Sequence, residues 1–158
     1  MADRDNIFLV RIRGRVNISK EKENVFKMLH LSREYHGTII DNRSSYLGMI
    51  QKIKDYSTWG EVYHDSISLI LKKKGRLKGN KKLTDQLAKE ILGYESIEDL
   101  SQAINDSKIS IKEVSGLKPV FRLHPPKGGF KNKINKAYPK GELGYRGENI
   151  KELISRMV

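Results

Sequence analysis

Between Ile7 and Val62 the spacing of apolar residues switches repeatedly between two and three-to-four, and few folds satisfy that alternation. Phe8, Val10 and Ile12 alternate with Leu9, Arg11 and Arg13, which reads as a strand. Ser19 then stands as an N-cap with Glu21 and Glu23 in the first turn, and Val25, Phe26, Met28, Leu29 and Leu31 follow as a helical face. Gly37 separates that helix from a β-branched strand, Thr38-Ile39-Ile40. Ser44 or Ser45 can cap a second helix with Tyr46, Met49, Ile50 and Ile53 inside, and Gly48 within it suggests close packing. Trp59 to Val62 supplies a third strand. The order is β-α-β-α-β, so an α+β unit is expected over residues 1–62.

Helical patterns dominate residues 63–118. One carries Ile67, Ile70 and Leu71. A second runs from a Thr84 cap through Leu87, Ala88 and Ile91 to Gly93, and a third starts at Ser96 and carries Leu100, Ala103 and Ile104. Ile109-Ser110-Ile111 and Val120 to Leu123 are short strand candidates. From Pro125 to Gly147 no period is visible, and a stretch of that length is usually functional or disordered. Ile150, Leu153, Ile154 and Met157 then mark an amphipathic helix.

The 158 residues carry a net charge of +12, with a pI near 9.8, and the excess is concentrated. Residues 72–82 hold seven bases and no acid, while residues 118–146 hold eight bases against Glu142 alone. Such segments repel themselves unless a polyanion compensates, and each phosphate they neutralise releases counterions. Nucleic acid is the expected partner. A membrane is not, because no apolar run approaches the ~18 residues of a spanning helix. The start, Met1 to Asp5, lacks a signal-peptide layout, and with no cysteine in the chain a cytoplasmic protein without disulfides or thiolate metal sites is expected.

Catalysis finds little support. His30, His36, His64 and His124 do not pair at metal-ligand spacing, and no cofactor-binding loop or nucleophile elbow is present. The run Gly141 to Gly147 is glycine-rich but follows Pro139-Lys140 and not an apolar strand. Asp85, Glu90, Asp99 and Asp106 fall at helix starts and exposed faces, so a nucleic-acid-processing enzyme is disfavoured. Binding is better supported: Phe121, Phe130, Tyr138 and Tyr145 interleave the bases of 118–146. Phe121 belongs to a core, and the other three serve either a satellite core or base stacking.

Three stretches resemble a known family. Residues 35–62 end in Lys-Asp-Tyr-Ser-Thr-Trp-Gly-Glu-Val, residues 121–130 read Phe-Arg-Leu-His-Pro-Pro-Lys-Gly-Gly-Phe, and residues 143–150 read Leu-Gly-Tyr-Arg-Gly-Glu-Asn-Ile. They are similar to the large-subunit ribosomal protein L-thirty family in its long archaeal form, whose eukaryotic relative is called L-seven. The resemblance implies a ferredoxin-like core with a three-stranded antiparallel sheet and a central first strand. Residues 63–118 would be a helical insert bearing the basic loop 72–82, and residues 119–158 a basic extension with a C-terminal helix. It also implies a ribosomal partner set: large-subunit ribosomal RNA near the 5S RNA, neighbouring ribosomal proteins, and no cofactor, small-molecule substrate or catalysis.

The RNA-contacting residues expected from charge and resemblance together fall in four groups. Arg11 and Arg13 lie on the first strand, and Arg43 and Ser44 at the second helix start. Lys72, Lys73, Lys74, Arg76, Lys78, Lys81 and Lys82 form the loop. The extension supplies Arg122, His124, Lys127, Phe130, Lys131, Lys133, Lys136, Tyr138, Lys140, Tyr145 and Arg146. The rival expectation is a free nucleic-acid binder of chaperone or chromatin type.

Overall fold

The computed structural model describes residues 6–106, 109–114 and 116–158. Met1 to Asp5, on which the signal-peptide expectation rested, lie outside the described residues. In chain order the elements are β1 (Asn6–Arg11), α1 (Lys20–Met28), β2 (His36–Asp41), α2 (Ser44–Lys52), β3 (Ser57–Val62) and α3 (His64–Lys74). Then come α4 (Asp85–Leu87), continued by wide π turns over Ala88–Leu92, α5 (Ile97–Asn105), β4 (Phe121–Arg122), β5 (Lys133–Ala137), β6 (Gly141–Tyr145) and α6 (Ile150–Met157).

The centre of the sheet is the one the family resemblance implies: β1 lies between β2 and β3 and is antiparallel to both. Among the described residues the sheet has six strands and not three, in the order β4-β2-β1-β3-β6-β5. β4 extends one edge by pairing with β2. β6 lies parallel to β3, pairing Thr58 with Gly144 and Trp59 with Tyr145, and β5 covers β6 with a register break. Both edges therefore come from the C-terminal part of the chain, including the segment expected to lack regular structure.

Every residue of β1 is buried, because helices cover both faces of the sheet. On one face Phe8, Val10 and Ile12 pack with Ile67, Ile70 and Leu71 of α3, Leu100 and Ile104 of α5, and Ile150, Leu153, Ile154 and Met157 of α6. On the other, Ile7 and Leu9 pack with Val25, Phe26 and Leu29 of α1, Ile50 of α2, and Trp59. The result is a three-layer body with the sheet in the middle.

The locally encoded features form as expected. The side chains of Ser19, Thr84 and Ser96 accept hydrogen bonds from the backbone N–H of Lys22, Leu87 and Asp99, and Gly93 ends its helix at φ 78°. Features that depend on neighbours differ. Arg43 occupies the N-cap of α2 with no side-chain cap bond, so neither Ser44 nor Ser45 caps it. Gly48 faces open space, whereas Gly37 lies inside β2, where a Cβ would stand 2.6 Å from the Phe8 ring. Met28 and Ile91 point outward, and Ile111–Glu113 is a 3-10 turn with a Ser110/Glu113 capping box in place of a strand.

Candidate nucleic-acid interface

The expected contact residues sort by what the fold gives their charges to do. Arg11 is 0% exposed. Its guanidinium donates to the carbonyls of Arg13 and Leu31 at 2.9 Å and to Glu23 Oε2 at 3.1 Å, and it lies 4.1 Å over the Phe26 ring. Arg146 is 8% exposed and donates to Thr58 Oγ1 at 2.8 Å and Glu142 Oε2 at 2.7 Å. The structure turns both inward for one reason: a buried guanidinium is held only where its donors are met, and here carbonyls, a hydroxyl and carboxylates meet them, so a phosphate contact at either would require exchanging these partners. Lys72 is tied to Glu98, Lys131 to Glu152, and Arg43 to Asp41 at 2.7 Å, each at the surface. The Lys72 and Ser68 hydrogen bonds hold Glu98 below the usual carboxylate range.

The loop 72–82 is an ordered hairpin. Lys72 to Lys74 close α3, and Arg76 then bridges Lys82. Gly79 and Asn80 both have positive φ, 86° and 62°, and the turn is closed by the Asn80 N–H to Leu77 O and the Leu77 N–H to Lys81 O. Leu77 and Leu83 anchor its base in the core, and Leu77 also bridges Leu117. The anchors turn Lys73, Lys78, Lys81 and Lys82 into solvent, while Lys74 and Arg76 are half-buried.

The extension is a strap across the body. β4 places Arg122 beside His36, whose pKa is lowered by burial and then by the Arg122, Arg33 and Arg11 charges. Residues 124–129 are pinned to the end of α6: the N–H of His124 bonds Met157 O and that of Lys127 bonds Arg156 O, both at 3.0 Å, while Arg156 donates to the carbonyls of Lys127 and Gly129. His124 and Lys127 stay exposed. All five residues of β5 are exposed, among them Lys133 and Lys136, and Lys140 follows. None of Lys73, Lys78, Lys81, Lys82, Lys127, Lys133, Lys136 and Lys140 makes an ion pair with a described residue.

The aromatic residues divide as well. Phe121 is fully buried. Phe130 stacks on Tyr35 with ring centroids 6.4 Å apart. Tyr138 accepts a hydrogen bond from Asn149 at 2.7 Å beneath the Arg146 guanidinium. Tyr145 is 56% exposed and donates to Glu61 at 2.6 Å, which pushes its pKa up to about 12.

Sequence reasoning missed one feature. A cleft of about 440 Å³ lies where Arg13, Lys22 and the Lys54-Asp55-Tyr56 segment face Asn135 and Lys136 of β5 and Gly144 of β6. Lys22, Lys54 and Asn135 carried no local signal, because the cleft exists only after β5 and β6 join the sheet.

Among the described residues no group of three or more His, Cys, Asp or Glu is placed to hold a metal ion, and no helix is long and apolar enough to cross a membrane. A three-layer α+β body that presents uncompensated lysines on an anchored hairpin and a strap has the architecture of a polyanion-binding protein. Residues 7–56 match the family described as Ribosomal protein L30p/L7e. The chain is 46% identical to the Archaeoglobus fulgidus "Large ribosomal subunit protein uL30", over 94% of this chain and 97% of that one. It is 45% identical to the protein of that name from Methanosphaera stadtmanae, over 95% and 98%. The Methanopyrus kandleri protein is 44% identical, over 93% and 100%. The chain belongs to the ribosomal protein L30p/L7e family.

Proposed function

We propose that this chain is a structural, non-catalytic constituent of the large ribosomal subunit that binds and stabilises folded ribosomal RNA in support of translation. The observation that carries this reading is the set of exposed lysines, at the tip of the 76–82 hairpin and along 127–140, that find no internal counter-charge. A monomer gains nothing from holding such charges together, whereas phosphates satisfy them. The near full-length likeness to proteins named for the large subunit supports the same reading.

The contacts divide along the chain. Residues 1–62, the ferredoxin-like βαβαβ part, contribute Arg13 and the Arg43-Ser44 corner. Residues 63–118 contribute the hairpin, through Lys73, Lys78, Lys81 and Lys82 with Lys74 and Arg76 at its base. Residues 119–158 contribute Arg122, His124, Lys127, Lys133, Lys136 and Lys140. Lys72 and Lys131 reach RNA only by exchanging their carboxylate partners. Phe130, Tyr138 and Tyr145 brace the strap and present ring edges. The RNA partner is large-subunit ribosomal RNA close to the 5S RNA, with ribosomal proteins alongside.

Sedimentation of native extract before and after a high-salt wash, with this protein followed by mass spectrometry, tests the reading. Stoichiometric retention in washed large subunits is the expected result. Absence from ribosomal fractions would put a free nucleic-acid binder in its place.

A further inference from the structure

The cleft between β5 and the body has chemistry the lysine count alone does not convey. Four cations, Arg13, Lys22, Lys54 and Lys136, line it against one carboxylate, Asp55. That carboxylate is partly committed, since Lys22 Nζ lies 3.9 Å from it. Arg13 and Lys22 both rest on the buried Tyr56 ring, at 5.0 and 5.2 Å from its centroid, so their heads are held and not free to wander. Lys54 and Lys136 are exposed, line the cleft from the segment before β3 and from β5, and make no ion pair with a described residue. Asn135 adds an amide, which both donates and accepts. At Gly144, with φ 86°, no atom of a described residue other than its chain neighbours lies within 4 Å of the place a Cβ would occupy.

The volume, about 440 Å³, exceeds what a bare phosphate needs and falls within the roughly 300–1,000 Å³ of small-ligand sites. Two exposed, unpaired lysines at the rim suit a phosphodiester that enters and leaves. A planar guanidinium held on an aromatic ring, with an amide beside it, suits the hydrogen-bonding edge of a base. A base reaches such a cleft only when it is out of its stack, as in a loop or bulge of folded RNA.

We propose that this cleft receives one unstacked nucleotide of an RNA chain, with Lys54 and Lys136 on the flanking phosphates and Arg13 and Asn135 on the base. The inference rests on the RNA-binding reading above and adds a defined nucleotide pocket to its backbone contacts. Lys22 partly offsets the Asp55 charge within the cleft.

Titration of the isotopically labelled full-length protein, followed by NMR, tests it with three probes: inorganic phosphate, adenosine monophosphate and a short oligoadenylate. The expected result is that oligoadenylate shifts the Arg13 Nε–H, the Asn135 side-chain amide and the Gly144 amide. It should do so at least about tenfold more tightly than the mononucleotide, because flanking phosphates add affinity. Phosphate should leave the Asn135 amide unmoved. Equal shifts with phosphate would reduce the cleft to an anion site and overturn the proposal. Mononucleotide binding as tight as the oligomer would make it a free-nucleotide site, and unmoved resonances with all three would also refute it.

A Lys54→Gln, Lys136→Gln double variant, altered only at exposed unpaired side chains, should keep its melting temperature. Its slope of log K against log salt for oligoadenylate should fall by about 1.4, at about 0.7 for each single-strand phosphate that is no longer neutralised, and an unchanged slope overturns the phosphate assignment. Large-subunit incorporation is measured separately. If the protein is retained there while the cleft resonances stay silent, the cleft inference fails and the ribosomal reading stands.

Discussion

Arg11 and Lys82 carry the same formal charge, and their surroundings give it opposite uses. Arg11 sits at the third inward position after Ile7 and Leu9, among Phe26, Leu31 and Glu23, and each of its three guanidinium nitrogens donates to an acceptor within the fold. Replacing it with Leu leaves Glu23 and two carbonyls short of partners. The expected cost is about 3–5 kcal/mol of stability, the range for breaking a buried pair, with no change in the salt dependence of RNA binding. Denaturant unfolding beside a salt titration checks both halves. Tyr145 gives a second test at this scale. Its hydroxyl donates to Glu61, so the fold favours the protonated phenol and raises its pKa from 10.0 to about 12. The hydrogen bond therefore stabilises the fold fully below about pH 10, and that stabilisation disappears as pH rises through about 12. The tyrosinate absorbance of this residue should appear near pH 12 and move back toward the ordinary value in Glu61→Gln. A midpoint unmoved by that substitution would exclude the Glu61 hydrogen bond as the cause.

At the scale of elements, the hairpin and the strap share a construction: a basic run is held open by apolar or main-chain anchors. Leu77 and Leu83 do this for the hairpin, and α6 does it for residues 124–129. The anchors decide that the lysines point outward without deciding anything about their partner. Exchanging Lys73, Lys78, Lys81 and Lys82 for Gln should therefore leave thermal unfolding in place. It should lower the salt slope of binding to large-subunit RNA by up to about 0.9 for each duplex phosphate left without its lysine. A slope equal to that of the parent protein would show that the hairpin does not face RNA. Elements whose signals lie within a few residues were legible in advance: the Ser19, Thr84 and Ser96 caps, the Gly93 stop, and the α6 stripe. β6 was not. Its strand character depends on Thr58 and Trp59, with Thr58 Oγ1 bonded to Gly144 O across 86 residues, and Gly141 and Gly144 interrupt any alternation.

Across the whole molecule, the core does not respect the order in which the chain presents it. Phe121, Leu123, Leu143, Ile150, Leu153, Ile154 and Met157, all from beyond residue 118, are buried in the same cluster as Phe8, Val10 and Ile12 of β1. At about 1.5 kcal/mol each, those seven side chains come to roughly 10 kcal/mol, comparable with the 5–15 kcal/mol by which a domain is stable at all. A fragment ending at residue 118 should accordingly lose cooperative thermal unfolding, and a sharp transition followed by circular dichroism would show that the first three strands are self-sufficient. The sequence by itself determined the order of strands and helices in 7–62, the Ser19, Thr84 and Ser96 caps, the two acid-poor basic runs and the family resemblance. All of these are carried by neighbouring residues or by composition. Only the tertiary structure decided the six-stranded width of the sheet, the burial of β1 on both faces, the withdrawal of Arg11 and Arg146 from the surface, and the cleft at β5. Each of those depends on segments dozens of residues apart meeting, and burial changes what a charge or a glycine can do more than its identity reveals.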